Sequence, residues 1–245
     1  VVQRCRDTSY FKSIFIIAAL NKDVTDAPVK LPGHFFANTI TTGQTDVLYL
    51  PKATNMDLLS YDNHTFENEV FSGQTIKGRE FQDCTFIKCD FSNSSSPHNK
   101  FLDCTFDGCN LSMLKLNGST LSNAQFKNCK MLGIIFSDCQ DMMFSVAFDG
   151  CMLDYSSFMG KKMLKTNFSR SSLKEVNFSR AILSESVFND SDLSGAVFNQ
   201  TNLSGANFIS ARNYSIEPEL NIIKKASFSI NGIYGLLEKY QIKIV

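Results

Sequence analysis

Net charge is the first thing this chain lacks. Its 24 basic and 24 acidic residues cancel, so net charge favours neither bulk nucleic-acid binding nor attraction to a membrane surface. No run of 18 or more apolar residues occurs, so no segment reads as a transmembrane helix. Histidine is scarce: His34, His64 and His98 are all there are, and none sits beside a nucleophile at a spacing that brings the two together. There is no glycine-rich phosphate loop, and the carboxylates are scattered. Cysteine pairs of the C-x2-C type, usual for zinc, are missing as well. The expectation from these gaps is a protein that is not an enzyme, with no catalytic residues, no cofactor and no bound metal. Asn-x-Ser/Thr triplets do recur, from Asn63 to Asn213, but a repeat generates that spacing by itself, and glycosylation also needs secretion.

What is there is a period of five. Apolar residues fall at Phe66, Phe71, Ile76, Phe81, Phe86 and Phe91, continue from Phe101 to Phe136, slip by two residues, and resume from Met143 to Phe208. Of 29 such slots only Ser96 is polar. A helix needs spacings of three and four and a half-buried strand needs two. Five fits neither, so the chain is a repeat architecture. Two positions before each apolar residue lies a second set, small in the later half: Ser156, Thr166, Ser171, Ala181, Ser191, Ala206. Residues two apart in extended backbone point the same way. Each unit therefore sends one large and one small side chain inward.

Asp192-Leu193-Ser194-Gly195-Ala196 and Asn202-Leu203-Ser204-Gly205-Ala206 show the unit in nearly pure form. Here the chain resembles the pentapeptide-repeat family, over roughly Thr65 to Arg212. The resemblance implies an all-β fold, a right-handed quadrilateral β-helix (pentapeptide-repeat solenoid), with a C-terminal capping helix. Four units then make one coil of 20 residues, and positions 20 apart form columns. Phe66, Phe86, Phe106, Phe126, Phe148, Phe168, Phe188 and Phe208 are expected in one stack, since offset rings pack at low cost. About seven coils at ~4.8 Å give a rod roughly 34 Å long.

Cys89, Cys109, Cys129 and Cys151 occupy the small slot of one wall, and Cys84 and Cys104 that of a neighbour. Cysteine serves there as a small buried hydrophobe. Disulfides between coils are conceivable at this spacing, but parallel side chains in one column would need distortion to form them. Reduced thiols fit a cytoplasmic protein. Cys5 and Cys139 fall outside these columns.

A regular rod acts through its breaks, faces and ends. Ser92 to Lys100 is polar and carries Pro97, so it reads as a loop bulging from one wall, with the register kept across it and the coil continuing beneath. The second break, residues 137–142, adds two residues around Asp138-Cys139-Gln140-Asp141. It reads either as a tolerated insertion or as a loop that makes contacts. Asp138, Asp141, Asp149 and Asp154 form an acidic band with no base among them. The next coil is basic, with Lys161, Lys162, Lys165, Arg170, Lys174 and Arg180 against Glu175 alone. Both bands are candidate partner-binding sites.

At the C-terminus Ile230, Ile233, Leu236, Leu237 and Tyr240 have helical spacing, and Gln241 to Val245 alternates as a short strand. Both ends of a β-helix need covers. The sites expected to cap the last coil, or to join two rods in a homodimer, are Ile233, Leu236, Leu237 and Tyr240. With Gly133-Ile134-Ile135-Phe136-Ser137-Asp138-Cys139, this tail is similar to the quinolone-resistance (Qnr-type) members of the family. That resemblance implies a rod that dimerises through its C-terminal ends, mimics DNA in shape and charge, and binds DNA gyrase or topoisomerase IV. It implies no direct nucleic-acid binding and no membrane. Yet between Phe66 and Arg212 there are 15 acidic against 14 basic residues, whereas a DNA mimic should be strongly acidic. A basic coil would repel the DNA-binding saddle of a topoisomerase. The alternative is a general protein-interaction rod with another partner.

Residues 1–60 show no five-residue pattern and form an irregular extension; 61–212 form the repeat; 213–245 form the cap. Met56 is the first methionine and reads as a natural start, with 1–55 upstream sequence. Two rivals remain open: a signal peptide built on Arg4, Arg6, Lys12 and Ile14 to Leu20, and an arm using a strand at Asp46 to Leu50.

Overall fold

The computed structural model describes residues 58–243. The readings placed on residues 1–55 and on Met56 lie outside them. From Ser60 onward the backbone winds as a right-handed parallel β-helix with four walls, each named here by its inward column. Wall I carries the Phe66 column, wall II Phe71, wall III Ile76 and wall IV Phe81. Wall I contains a five-stranded parallel sheet: Thr65–Glu67, Thr85–Ile87, Thr105–Asp107, Ala124–Lys127 and Val146–Asp149. Wall IV contains four strands: Ser60–Asp62, Glu80–Gln82, Lys100–Leu102 and Thr120–Ser122. Registers step by 20, as in Phe66↔Phe86↔Phe106, and by 22 at Phe126↔Phe148. The two-residue slip is therefore absorbed within a single coil.

The expected phenylalanine column is present and one member longer. Phe66, Phe86, Phe106, Phe126, Phe148, Phe168, Phe188, Phe208 and Phe228 stack face to face, with neighbouring centroids 4.6–5.3 Å apart. The parallel stack thus runs past Arg212, because Asn207–Phe208 pairs with Ser227–Phe228 and Asn202 with Ile222. At the other end Tyr61 stacks on Phe81 and starts the wall IV column.

The small slots do more than fill space. A side chain there donates to the carbonyl 23 residues back, one coil below: Cys84 to Tyr61, Cys104 to Phe81, Ser191 to Phe168, Thr201 to Phe178. Hydroxyls and thiols are buried here with a partner supplied by the repeat itself, which removes most of the cost of burying them. The seven cysteines among the described residues are free and buried. Burial raises the thiols of Cys84, Cys104 and Cys139, the last two to about 12.

Corners turn on a residue with positive φ every fifth position. Glycine, Asn and Asp serve at many, but Lys165, Arg170 and Glu175 also take it. The cost, of order 1–2 kcal/mol for such residues, is offset because their amides are bound by the next coil, Lys165 N to Ser184 O at 2.9 Å, Arg170 N to Asn189 O and Glu175 N to Ser194 O.

Two expected irregularities are corrected. Ser92 to Lys100 is not a bulging loop but a regular coil segment, with Ser95 bridging Thr75 and Lys115. Ser94, Ser96 and Asn99 are buried. The Ser94 hydroxyl donates to Phe91 O, and Asn99 takes the Arg79 amide on Oδ1 while its Nδ2 donates to Ile76 O. Polarity alone suggested a loop; the repeat satisfies these groups internally. Nor is Met143 a core residue. It is 64 % exposed, and Phe144 takes its place against Phe136. Cys139 conversely belongs to a column, filling the wall IV slot after Arg79, Asn99 and Ser119.

Candidate functional site

The four aspartates of the acidic band do not share a surface. Five residues per wall place Asp138 on wall III, Asp141 on wall IV, Asp149 on wall I and Asp154 on wall II, so they ring the rod. Each also has a partner. Asn117 Nδ2 donates to Asp138 at 2.8 Å, and the Lys174 amide donates to Asp154 at 3.1 Å. Arg170 grips Asp149 with two donors, Nε at 2.8 Å and Nη2 closer still. The basic coil therefore neutralises part of the acidic one beside it. Lys174 similarly approaches Asp192 at 3.5 Å, and Lys165 approaches Glu185 at the same distance.

Lys161 is the main departure from expectation. As part of a partner-binding basic band it would stand at the surface, yet it is 1 % exposed. It occupies a small inward slot of wall IV, two residues before Met163. From there its Nζ reaches out through the wall, donating to Cys139 O at 2.6 Å and to Asp141 Oδ1 at 2.6 Å. The ammonium also lies 4.9 Å from the centre of the Phe144 ring. A buried ammonium without partners would cost several kcal/mol, so these contacts fix both the lysine and whatever carries the partners.

They are carried by the insertion. Gln140 N donates to Ser119 O and Ser145 N to Leu121 O, both at 2.9 Å, so the segment leaves and rejoins the wall in register. Between those two bonds the backbone bulges, closed by Phe144 N on Asp141 O. Phe144 points inward, and Met142 and Met143 point out, with Met142 78 % exposed. Lys162 and Lys165 lie one coil on along the same wall. The structure thus groups Asp141, Lys161, Lys162 and Lys165 on wall IV and leaves Asp138, Asp149 and Asp154 elsewhere.

The terminal segment is less helical than its spacing suggests. It comprises a 3-10 turn at Ile230–Gly232, a short α-helix at Tyr234–Leu237, and a second 3-10 turn at Glu238–Tyr240. Residues 241–243 form no strand. It covers the last coil through its backbone: Gly235 O accepts from Ile216 N at 2.8 Å. Gly232 and Gly235 press on Tyr214 so closely that a Cβ at either would overlap it. Of the four expected cap residues, Leu236 packs on the core and Leu237 is half-buried. Ile233 and Tyr240 are exposed, alongside Ile230 and Tyr234. Glu219 ties the segment down, accepting from Lys239 at 2.5 Å and from the Tyr240 hydroxyl. These two bonds hold its carboxyl down at about 2.

Among the described residues no cluster of three or more metal-binding side chains occurs, and no helix is long and apolar enough to cross a membrane. A sequence profile described as a pentapeptide repeat region matches residues 79–158. Another, pentapeptide repeats (8 copies), matches 162–190 and 187–212. Among solved structures, a trypsin-treated variant of QnrB1, a plasmid-mediated fluoroquinolone resistance protein, aligns over 74 % of this chain and 100 % of that one, at 16 % identity and TM-score 0.54. HetL, a pentapeptide-repeat protein involved in heterocyst differentiation regulation from the cyanobacterium Nostoc, aligns over 70 % of this chain and 89 % of that one, at 15 % identity and TM-score 0.24. No curated protein sequence matches significantly.

Proposed function

This chain belongs to the pentapeptide-repeat family, and from that premise we propose that it works by binding another protein along its walls, with DNA gyrase or topoisomerase IV the first partner to test. One observation carries this reading. The coil stack follows the fold of QnrB1, a fluoroquinolone resistance protein, over that structure's entire length, and this likeness of form supports the reading. We place the protein in the cytoplasm, where buried thiols stay reduced. A homodimer through the C-terminal segment would cover the exposed Ile230, Ile233, Tyr234 and Tyr240.

Charge favours a second reading, a rod with a different partner. The acidic side chains are split among four walls, and several are already paired with neighbouring bases. A surface that mimics DNA phosphates needs them aligned and free.

A supercoiling assay with purified gyrase, with and without a fluoroquinolone, separates the two. On the topoisomerase reading the protein restores supercoiling in the presence of drug, and the effect fades as salt rises, since exposed charges are screened within about 8 Å at physiological ionic strength. Unchanged activity of both gyrase and topoisomerase IV at micromolar excess would remove this reading.

A further inference from the structure

Wall IV changes character along its length. Before the insertion its outward side chains are mixed polar ones, Glu80, Asp83, Lys100, Asp103 and Thr120, with Lys100 paired to Glu80 at 3.0 Å. After it, Met142, Met143, Leu164, Ile182 and Ile222 all stand exposed. Lys162, Ile182, Asn202 and Ile222 are successive rungs of this wall. Lys162, Lys165, Lys224 and Lys225 flank the strip, and Glu185, already engaged by Lys165, is its lone carboxylate beyond Asp141. Asp141 in turn is occupied by Lys161. The second half of wall IV is therefore an apolar strip with a cationic margin, on a protein whose net charge is zero.

We propose that this half of wall IV is a docking surface for an acidic amphipathic helix of a partner protein, lying along the rod axis with its apolar stripe on Met142, Met143, Leu164 and Ile182. Three features select that occupant. The lysine margin calls for carboxylates. Exposed apolar side chains recur in three successive coils, at Met142 and Met143, Leu164 and Ile182, a spacing of about 4.8 Å. A helix brings its apolar stripe round once per turn, about 5.4 Å, so successive turns of the partner meet successive coils. Paired methionines at the head of the strip are flexible and polarizable, which suits a side-chain surface that must adapt to another protein. Lys161 serves as a positioning residue: it holds the bulge that carries the methionines without touching the partner.

This proposal rests on the reading of the chain as a protein-binding rod, but not on the identity of the partner. The test uses the full chain and a fluorescent helical peptide with leucine at every third and fourth position and glutamate on the flanking positions. The expected result is saturable binding that weakens with salt. Met142→Ser with Met143→Ser, and separately Lys162→Glu with Lys165→Glu, should each weaken it about tenfold or more. A peptide with lysine in place of glutamate should not bind. The four substituted residues are outward, so circular dichroism of the variants should match the parent. Wall IV is the wrong surface if Met152→Ser with Tyr155→Ser on wall II abolishes binding while the wall IV variants retain it; the rod would still bind protein. If no wall binds the peptide, the docking surface proposed here falls, while the protein-binding reading is still decided by the gyrase and topoisomerase IV assays. If instead a DNA duplex or vesicles of anionic lipid bind, and only those, the partner class proposed here is overturned.

Discussion

Phe168 lies in the middle of the nine-ring column, fully buried between Phe148 and Phe188. Replacing it with alanine should cost about 3–5 kcal/mol, the usual range for an aromatic lost from a close-packed core, measured as a fall in the denaturation midpoint. At the same scale, the cysteine thiols should react slowly with a thiol reagent in the native protein and all at once when it is denatured, because they are buried and donate to carbonyls of the coil below. Burial holds Cys104 and Cys139 near 12, so raising the pH to 9 should barely speed their reaction. Lys161 offers a sharper contrast. Asp141→Asn removes the carboxylate from a buried ammonium and should destabilise the protein by roughly 1–3 kcal/mol. Lys161→Met, which removes the charge and keeps the bulk, should leave the coil folded but free the bulge, read as faster proteolytic cleavage near Met142.

At the scale of elements, the terminal segment is held by the Gly235 carbonyl, by Leu236 and by two carboxylates, Glu217 and Glu219, of which Glu219 makes the closer contacts. Glu219 sits at about 2 against an ordinary 4.5. A depressed carboxyl stabilises the folded state above pH 4.5 and loses that contribution as pH falls towards 2. The tail should therefore loosen across that window while the coil persists, visible in the NMR or fluorescence signals of Tyr234 and Tyr240. Glu219→Gln should loosen it at neutral pH. Deleting Gly232 to Val245 should leave a rod that is monomeric or aggregates, if the tail joins two rods. Light scattering showing the intact protein monomeric at high concentration would reduce the tail to a cap. The sequence was a partial guide to these elements. The insertion's size and place were legible from the period, because 20-residue spacing resumes after a shift of two. Which residue returned to the core was not, since Met143 and Phe144 are both apolar and only the wall's geometry selects the ring. Lys161 was misread because a lysine in a small slot looks like an outward charge until Cys139 O and the Asp141 carboxylate of the coil below are seen to receive it. The polar run at Ser92 to Lys100 was misread for the opposite reason: Ser94, Ser96 and Asn99 resemble loop residues, but the Ser94 hydroxyl meets Phe91 O within its own coil, and Ser96 N and Asn99 Nδ2 meet carbonyls one coil away.

At the scale of the whole rod the five-residue period shows a repeat, the resemblance to the pentapeptide-repeat family supplies the four-sided coil, and the stacked phenylalanines confirm the register. The surface was not legible. Charges that cluster in sequence are spread around the rod by a 20-residue coil, so Asp138, Asp141, Asp149 and Asp154 end on different walls, whereas Met142, Leu164 and Ile182, far apart in sequence, end on one. A partner reads walls, and a wall is assembled from every fourth repeat. The central claim, that this rod acts by binding a protein along its walls, is tested most directly by hydrogen exchange of the full chain alone and with a micromolar excess of gyrase or topoisomerase IV. The account predicts slowed exchange in peptides 20 residues apart, marking one wall or two adjacent walls, strongest from residue 139 onward. Exchange unchanged by either enzyme would contradict the proposed topoisomerase binding, and unchanged exchange with the acidic amphipathic peptide as well would contradict the wall IV docking surface.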